Sequence, residues 1–135
     1  MPLAISKLKG VTADLQAKFK ATGVKTAEDL FNKAVTPAGR QLLAEHLGVA
    51  HEVILELANR ADLSRIKGIA GVYSDMLEEA GVDTVKELAQ RNAENLHAKL
   101  LEVNAAKNLV KRPPTLSAVK EWITAAKRRR KFLQY

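Results

Sequence analysis

The sequence predicts an all-α fold: two tandem pseudo-repeats of a unit of short helices joined by tight hairpins, packed as one compact helical body with a basic C-terminal tail. Three observations predict it. Apolar residues recur at spacings of three and four, the period of one helix face, and no window alternates as a strand would. Glycines and capping residues punctuate those stripes at short intervals. The chain also repeats itself: a shift of 58 pairs Ser6 with Ser64, Lys9 with Lys67, Gly10 with Gly68, Gly23 with Gly81, Val24 with Val82, Thr26 with Thr84 and Leu30 with Leu88. Chance would give about one or two such identities over the same stretch.

Residues 63–88 are the central stretch and read as helix, tight hairpin, helix, second turn, helix. Ile66, Ile69, Tyr73, Leu77 and Ala80 form its apolar stripe; Gly68 and Gly71 flank the first turn, and Gly81 follows the second helix. Thr84 is placed to cap the third helix, with Glu87 as its capping-box partner. In the first repeat, residues 3–9 give one or two helical turns, Gly10 marks a hairpin, and Thr12 caps a helix over 13–22 that Gly23 ends. Thr26 with Asp29 caps the next helix, and Thr36-Pro37 starts another that stops at Gly48. A helix over 50–60 follows, and Asp62 begins the second repeat. Asn92 caps a helix carrying Leu96, Leu100 and Val103; residues 104–110 either continue it or form a separate short helix. Pro113-Pro114 breaks the chain, and Thr115 or Ser117 caps a final helix whose stripe is Val119, Trp122, Ile123 and Ala126. About ten helices are expected on this pattern. The units are residues 1–62, 63–126 and a basic tail over 127–135.

The hairpin Ile66-Lys67-Gly68-Ile69-Ala70 resembles the helix-hairpin-helix family, whose turn reads hydrophobic-x-Gly-hydrophobic-Gly. The longer run from 59 to 127, with its ANRADLSRIKGIAGVY and AGVDTVKELAQRNAENLHAKL phrases, is similar to an uncharacterised bacterial branch of tandem domains of that kind, a domain of unknown function. The resemblance implies the helical fold. It also implies a means of gripping DNA without reading its sequence, because such a hairpin aims backbone N–H groups at a phosphate. This chain departs from that pattern. The second hairpin glycine is Ala70 here and Thr12 in the first repeat, and the slot where binders carry Lys or Arg holds Val72 and Asp14. Some lyases and glycosylases that contain such modules use a Schiff-base lysine, but nothing singles out one lysine here as desolvated.

Composition bounds the function further. The chain has 135 residues, 47% apolar and only 4% aromatic, so its core is expected to be mostly Leu, Val, Ile and Ala. The absence of cysteine excludes a disulfide framework, a thiolate metal site and a cysteine nucleophile. No apolar run approaches the ~18 residues of a membrane span, and MPLAISKLKG lacks the apolar core of a secretory signal. A cytoplasmic location is expected, nucleoid-associated if the partner is DNA. Net charge is +7 and unevenly spread: residues 1–63 and 64–112 each carry eight Lys/Arg against seven Asp/Glu, whereas residues 113–135 carry six against one. The excess lies in Lys127, Arg128, Arg129, Arg130 and Lys131, a run that suits a polyanion. The bland reading is a solvated terminus at a helix end.

No catalytic constellation is present. His46, His51 and His97 are scattered without metal-ligand spacing. Glu28-Asp29 and Glu78-Glu79 are surface helix charges, and there is no nucleotide-binding loop or nucleophile elbow. Trp122 and Tyr73 fit the core better than a base-stacking role, while Phe132 and Tyr135 anchor on either the body or a partner. The expected function is a non-enzymatic nucleic-acid-binding protein without cofactor or metal. It contacts the phosphate backbone of duplex DNA through Lys67, Gly68, Ile69, Ala70 and Gly71 and through the 127–131 cluster. The competing expectation is a protein-interaction or scaffold module with purely structural hairpins and an acidic partner for the tail. A third is an accessory module of a larger nucleic-acid enzyme.

Overall fold

Threonine and asparagine side chains set most of the helix starts. In the computed structural model, which describes residues 3–69 and 71–135, a 3-10 turn Ile5–Lys7 leads into α1 Ala13–Ala21, α2 Ala27–Lys33, α3 Pro37–Leu47 and α4 His51–Leu63. Then come α5 Val72–Glu79, α6 Val85–Ala89, α7 Ala93–Lys107 and α8 Leu116–Lys127. Thr12, Thr26, Thr36, Thr84, Asn92 and Thr115 each accept a first-turn N–H, satisfying donors that the helix itself leaves orphaned. Thr26 and Asp29 complete a reciprocal capping box. Among the described residues there is no strand, only one antiparallel bridge between Ala4 and Thr26.

Among the described residues the expected ten or so helices reduce to eight and a 3-10 turn. The helix beginning at residue 51 does not stop near 60 but runs on through Asp62 to Leu63. Residues 64–68 are turns rather than a helix, and Ile66 and Ile69 reach the core from them. Residues 104–107 continue α7, which ends on Asn108 in the left-handed region at φ 51°. The Asn104 side chain both donates to and accepts from the Val110 backbone, closing the irregular segment that follows.

Two hydrophobic clusters divide the chain. The first gathers Phe19, Leu30, Phe31, Ile54 and their neighbours up to Ala61, together with Leu133 from the far end. The second runs from Leu63 through Met76, Leu88 and Leu96 to Ala126. In the first half, α2 and α3 pack on α4 and α1 packs on α3; in the second, α6 and α7 pack on α8 and α5 packs on α7. Each apolar side chain of this size contributes about 1.5–3 kcal/mol when taken out of water.

One carboxylate joins the halves. Asp62 is fully buried at the end of α4 and accepts from the Val85 N–H at 2.8 Å, at the start of α6. It also holds the Arg65 guanidinium at 2.5 and 3.1 Å. In the first half the N–H of Ala27, at the start of α2, goes instead to the Leu3 carbonyl at 2.8 Å. Burial pushes the Asp62 carboxyl above its usual value, against the pull of the Val85 N–H and Arg65. Arg65 lies over the Phe31 ring, 3.9 Å from its centroid, so the pair also leans on the first cluster.

The C-terminal tail is a strap packed on the body. Leu133 is 5% exposed in the first cluster, the Gln134 N–H donates to the Val35 carbonyl at 2.7 Å, and Tyr135 Oη donates to Asn59 at 2.6 Å. Beneath it sits Arg40, 2% exposed and without a carboxylate partner among the described residues. Its guanidinium donates to the carbonyls of Ala34 at 2.9 Å, Val35 at 3.3 Å and Gln134 at 2.6 Å. Ala34 is the C-cap of α2, so the negative end of that helix offsets the buried charge. Burial pulls the Arg40 guanidinium below its usual value.

Two substitutions test this arrangement by urea unfolding. Leu133→Ala is expected to cost about 2–5 kcal/mol, a core loss rather than a tail effect. Asp62→Ala is expected to cost about 3–5 kcal/mol, because it strands both Arg65 and the Val85 N–H. An unchanged midpoint for Leu133→Ala means that the strap does not pack.

Candidate nucleic-acid interface

The two hairpins have the same turn and opposite surroundings. In the first, the Val11 N–H donates to Leu8 at 3.2 Å across Gly10 at φ 98°. In the second, the Ile69 N–H donates to Ile66 at 3.0 Å across Gly68 at φ 92°. A residue with a Cβ is strained at that φ.

The first hairpin is closed to an anion. Thr12 caps the start of α1, and Asp14 projects from its first turn, paired with Lys18 at 3.5 Å. Lys9 is already taken: its Nζ lies 2.8 Å from Asp75 in α5. Asp75 is shared with Arg60, which also bonds Glu78 at 2.8 Å. Burial pushes the Asp75 carboxyl up, but the hydrogen bonds from Lys9 and Arg60 outweigh it and hold it below the usual 3.8. This cluster clamps the first hairpin and α4 onto α5.

The second hairpin is open. Lys67 and Gly68 are exposed, and Gly71 begins α5 with no side-chain cap. Ser74 does not cap it from within either, since its hydroxyl donates to the Gly71 carbonyl at 2.7 Å. Among the described residues the α5 start thus has no side-chain cap, unlike that of α1. Ile69 is 1% exposed, and its N–H is spent within the turn, so it supports the hairpin from the core rather than offering a contact. Ala70 lies outside the described residues.

Beside this hairpin runs a cleft of about 790 Å³ between the halves, lined by Lys7, Arg65, Lys67, Gly68 and Arg129 together with Glu28. Arg129 donates to the Arg65 carbonyl at 2.5 Å, and Arg65 donates to the Lys131 carbonyl at 2.8 Å, fixing the strap along the cleft. Lys7 and Lys67 form no ion pair among the described residues. Four cations thus line the cleft with one carboxylate, Glu28, while Arg65 is also paired with the buried Asp62.

The basic run itself disperses. Arg129 alone joins the hairpin. Lys127 faces a depression shared with Arg91 and Lys120, and Arg128 lies on another face of α8 with Ser117 and Glu121. Lys131 reaches Asn32 at 3.4 Å, over the Phe31 ring, and Arg130 is exposed. Sequence reasoning missed Lys7 and Arg65. The repeat carried the signal, because the shift of 58 pairs these two basic residues, each two positions before the lysine that precedes a hairpin glycine. No group of three or more His, Cys, Asp or Glu among the described residues is placed to hold a metal, and no described helix is long and apolar enough to cross a membrane.

These features define an all-helical protein with a cationic cleft between two helical halves. Residues 9–129 match the family described as Domain of unknown function (DUF4332), and the chain belongs to it. No curated protein and no solved structure matches the chain.

Two variants probe the hairpins. Gly68→Ala is expected to lose about 1–3 kcal/mol of stability through its backbone strain, since its Cβ would also stand 3.1 Å from Trp122 Nε1. Asp75→Asn is expected to be less stable than the parent at neutral pH. The folded carboxyl is held below its usual value, so its contribution is complete above about pH 5 and is lost as pH falls through the folded pKa. The stability gap between the two proteins therefore closes in acid; a gap independent of pH contradicts the ion-pair clamp.

Proposed function

We propose that the protein is a small non-enzymatic nucleic-acid-binding module that holds the phosphate backbone without reading base sequence, and that its halves are pseudo-repeats of one helix-hairpin-helix unit. In this reading the second hairpin binds and the first is architectural. The observation that carries the proposal is the cleft that unites Lys67 and Gly68 of the hairpin with Arg129 of the tail and with Lys7 and Arg65. Cations grouped on one face, next to an uncapped helix start, suit a chain of phosphates better than any single acidic side chain. The pseudo-repeat is supported by the parallel order of helix pairings, by the shared turn bonds, and by Gly23 and Gly81 at φ 83° and 89° after α1 and α5.

A protein-interaction module is the second reading. What favours it is Leu42, 68% exposed in a hollow of about 330 Å³ with Leu43, His46 and Thr22, well apart in sequence from the hairpins.

Fluorescence anisotropy with labelled oligonucleotides at about 50 and about 200 mM salt separates the two. Binding is expected to fall steeply with salt. Lys7→Ala, Lys67→Ala and Arg129→Ala are each expected to weaken it and to lower the salt slope by about 1, while Arg130→Ala changes little. Equal losses for all basic substitutions indicate a generic polycation, and no binding at the lower salt removes the proposal.

A further inference from the structure

Lys67 and Gly68 line two grooves at once. One is the cationic cleft; the other, of about 600 Å³, is lined by Tyr73, Trp122, Arg112, Glu121 and the Pro113–Pro114 turn. The Tyr73 and Trp122 rings lie 5.6 Å apart and are tilted by 56°. Trp122 is mostly core, yet its indole edge reaches the groove beside Gly68. Its Nε1 would stand 3.1 Å from a Cβ at Gly68, which places the indole directly behind the hairpin glycine. Tyr73 is half-buried and presents ring surface in the same place.

From this juxtaposition we infer that the groove receives an unpaired nucleobase while the neighbouring phosphates lie in the cationic cleft, so that the ligand is single-stranded nucleic acid rather than a duplex. The inference rests on the nucleic-acid reading above and specifies its ligand. A base needs a flat apolar surface and edge partners. Tyr73 and the edge of Trp122 supply the surface, and Glu121 in the groove lining carries an acceptor for an amino group. Arg112 and Lys67 both line the groove, and Lys67 also lines the cleft, so one strand can engage both past Lys67. A base paired inside a duplex presents neither its face nor its pairing edge, which excludes it from such a groove.

Trp122 is the sole tryptophan and therefore reports directly on the groove. The full chain is titrated with a labelled single strand of mixed sequence, with an abasic strand of the same length, and with the matched duplex. Label anisotropy reads binding and Trp122 emission reads base entry. The single strand is expected to quench Trp122. The abasic strand is expected to bind about tenfold more weakly, with a similar salt slope and without quenching. Tyr73→Leu is expected to lose about tenfold for the single strand and nothing for the abasic one; if that variant does not fold, the abasic comparison on the unaltered protein decides. Equal affinity for base-bearing and abasic strands without quenching overturns the base groove and leaves the phosphate cleft standing. Tighter binding of the duplex also overturns it. Absence of binding by all three removes the cleft and the groove together.

Discussion

The Asp62–Arg65 pair is the contact on which the arrangement of the two halves depends. A fully buried carboxylate is costly unless its lone pairs are used, and here they are: one oxygen takes the Val85 N–H and the other takes Arg65. The guanidinium in turn lies on Phe31 of the first cluster and holds the Lys131 carbonyl of the strap. The end of α4, the start of α6, the first core and the C-terminal segment therefore meet at one ion pair. The same contacts shape the cationic cleft, because Arg65 is both a structural partner of Asp62 and part of the cleft wall.

Charge accounting explains why two similar hairpins have different prospects. Lys9 is neutralised by Asp75, and the start of α1 by Thr12 and Asp14. Lys67 forms no ion pair among the described residues, and the start of α5 has no side-chain cap there. Stability and availability for a ligand are divided between the two, the first hairpin fixing the halves through the Asp75 cluster and the second left for contact.

Much of the fold was legible because its signals are local. Thr12, Thr26, Thr36, Thr84 and Asn92 cap where the sequence says they should, and Val119, Trp122, Ile123 and Ala126 are buried as their spacing requires. What escaped depends on contacts distant in sequence. Asp62 has the chemistry of a helix cap and does receive a helix-start N–H, but that of α6, reached through the tertiary fold. Arg40 bonds a carbonyl 94 positions away, which no local pattern reveals. The run 127–131 reads as one cluster only because its residues are consecutive. Successive side chains at the end of α8 and beyond it point in different directions, so one of the five reaches the hairpin cleft.

The most direct measurement is a two-dimensional ¹H–¹⁵N NMR titration of the full chain with an oligonucleotide, following every backbone amide and the single indole N–H. Binding at the cleft predicts the largest shifts at Lys7, Arg65, Lys67, Gly68 and Arg129, with residues of the first α1 turn unmoved. Shifts confined to Lys127, Arg128 and Arg130 would contradict it and reduce the interaction to a dispersed surface charge. A spectrum unchanged by nucleic acid would contradict the nucleic-acid reading altogether.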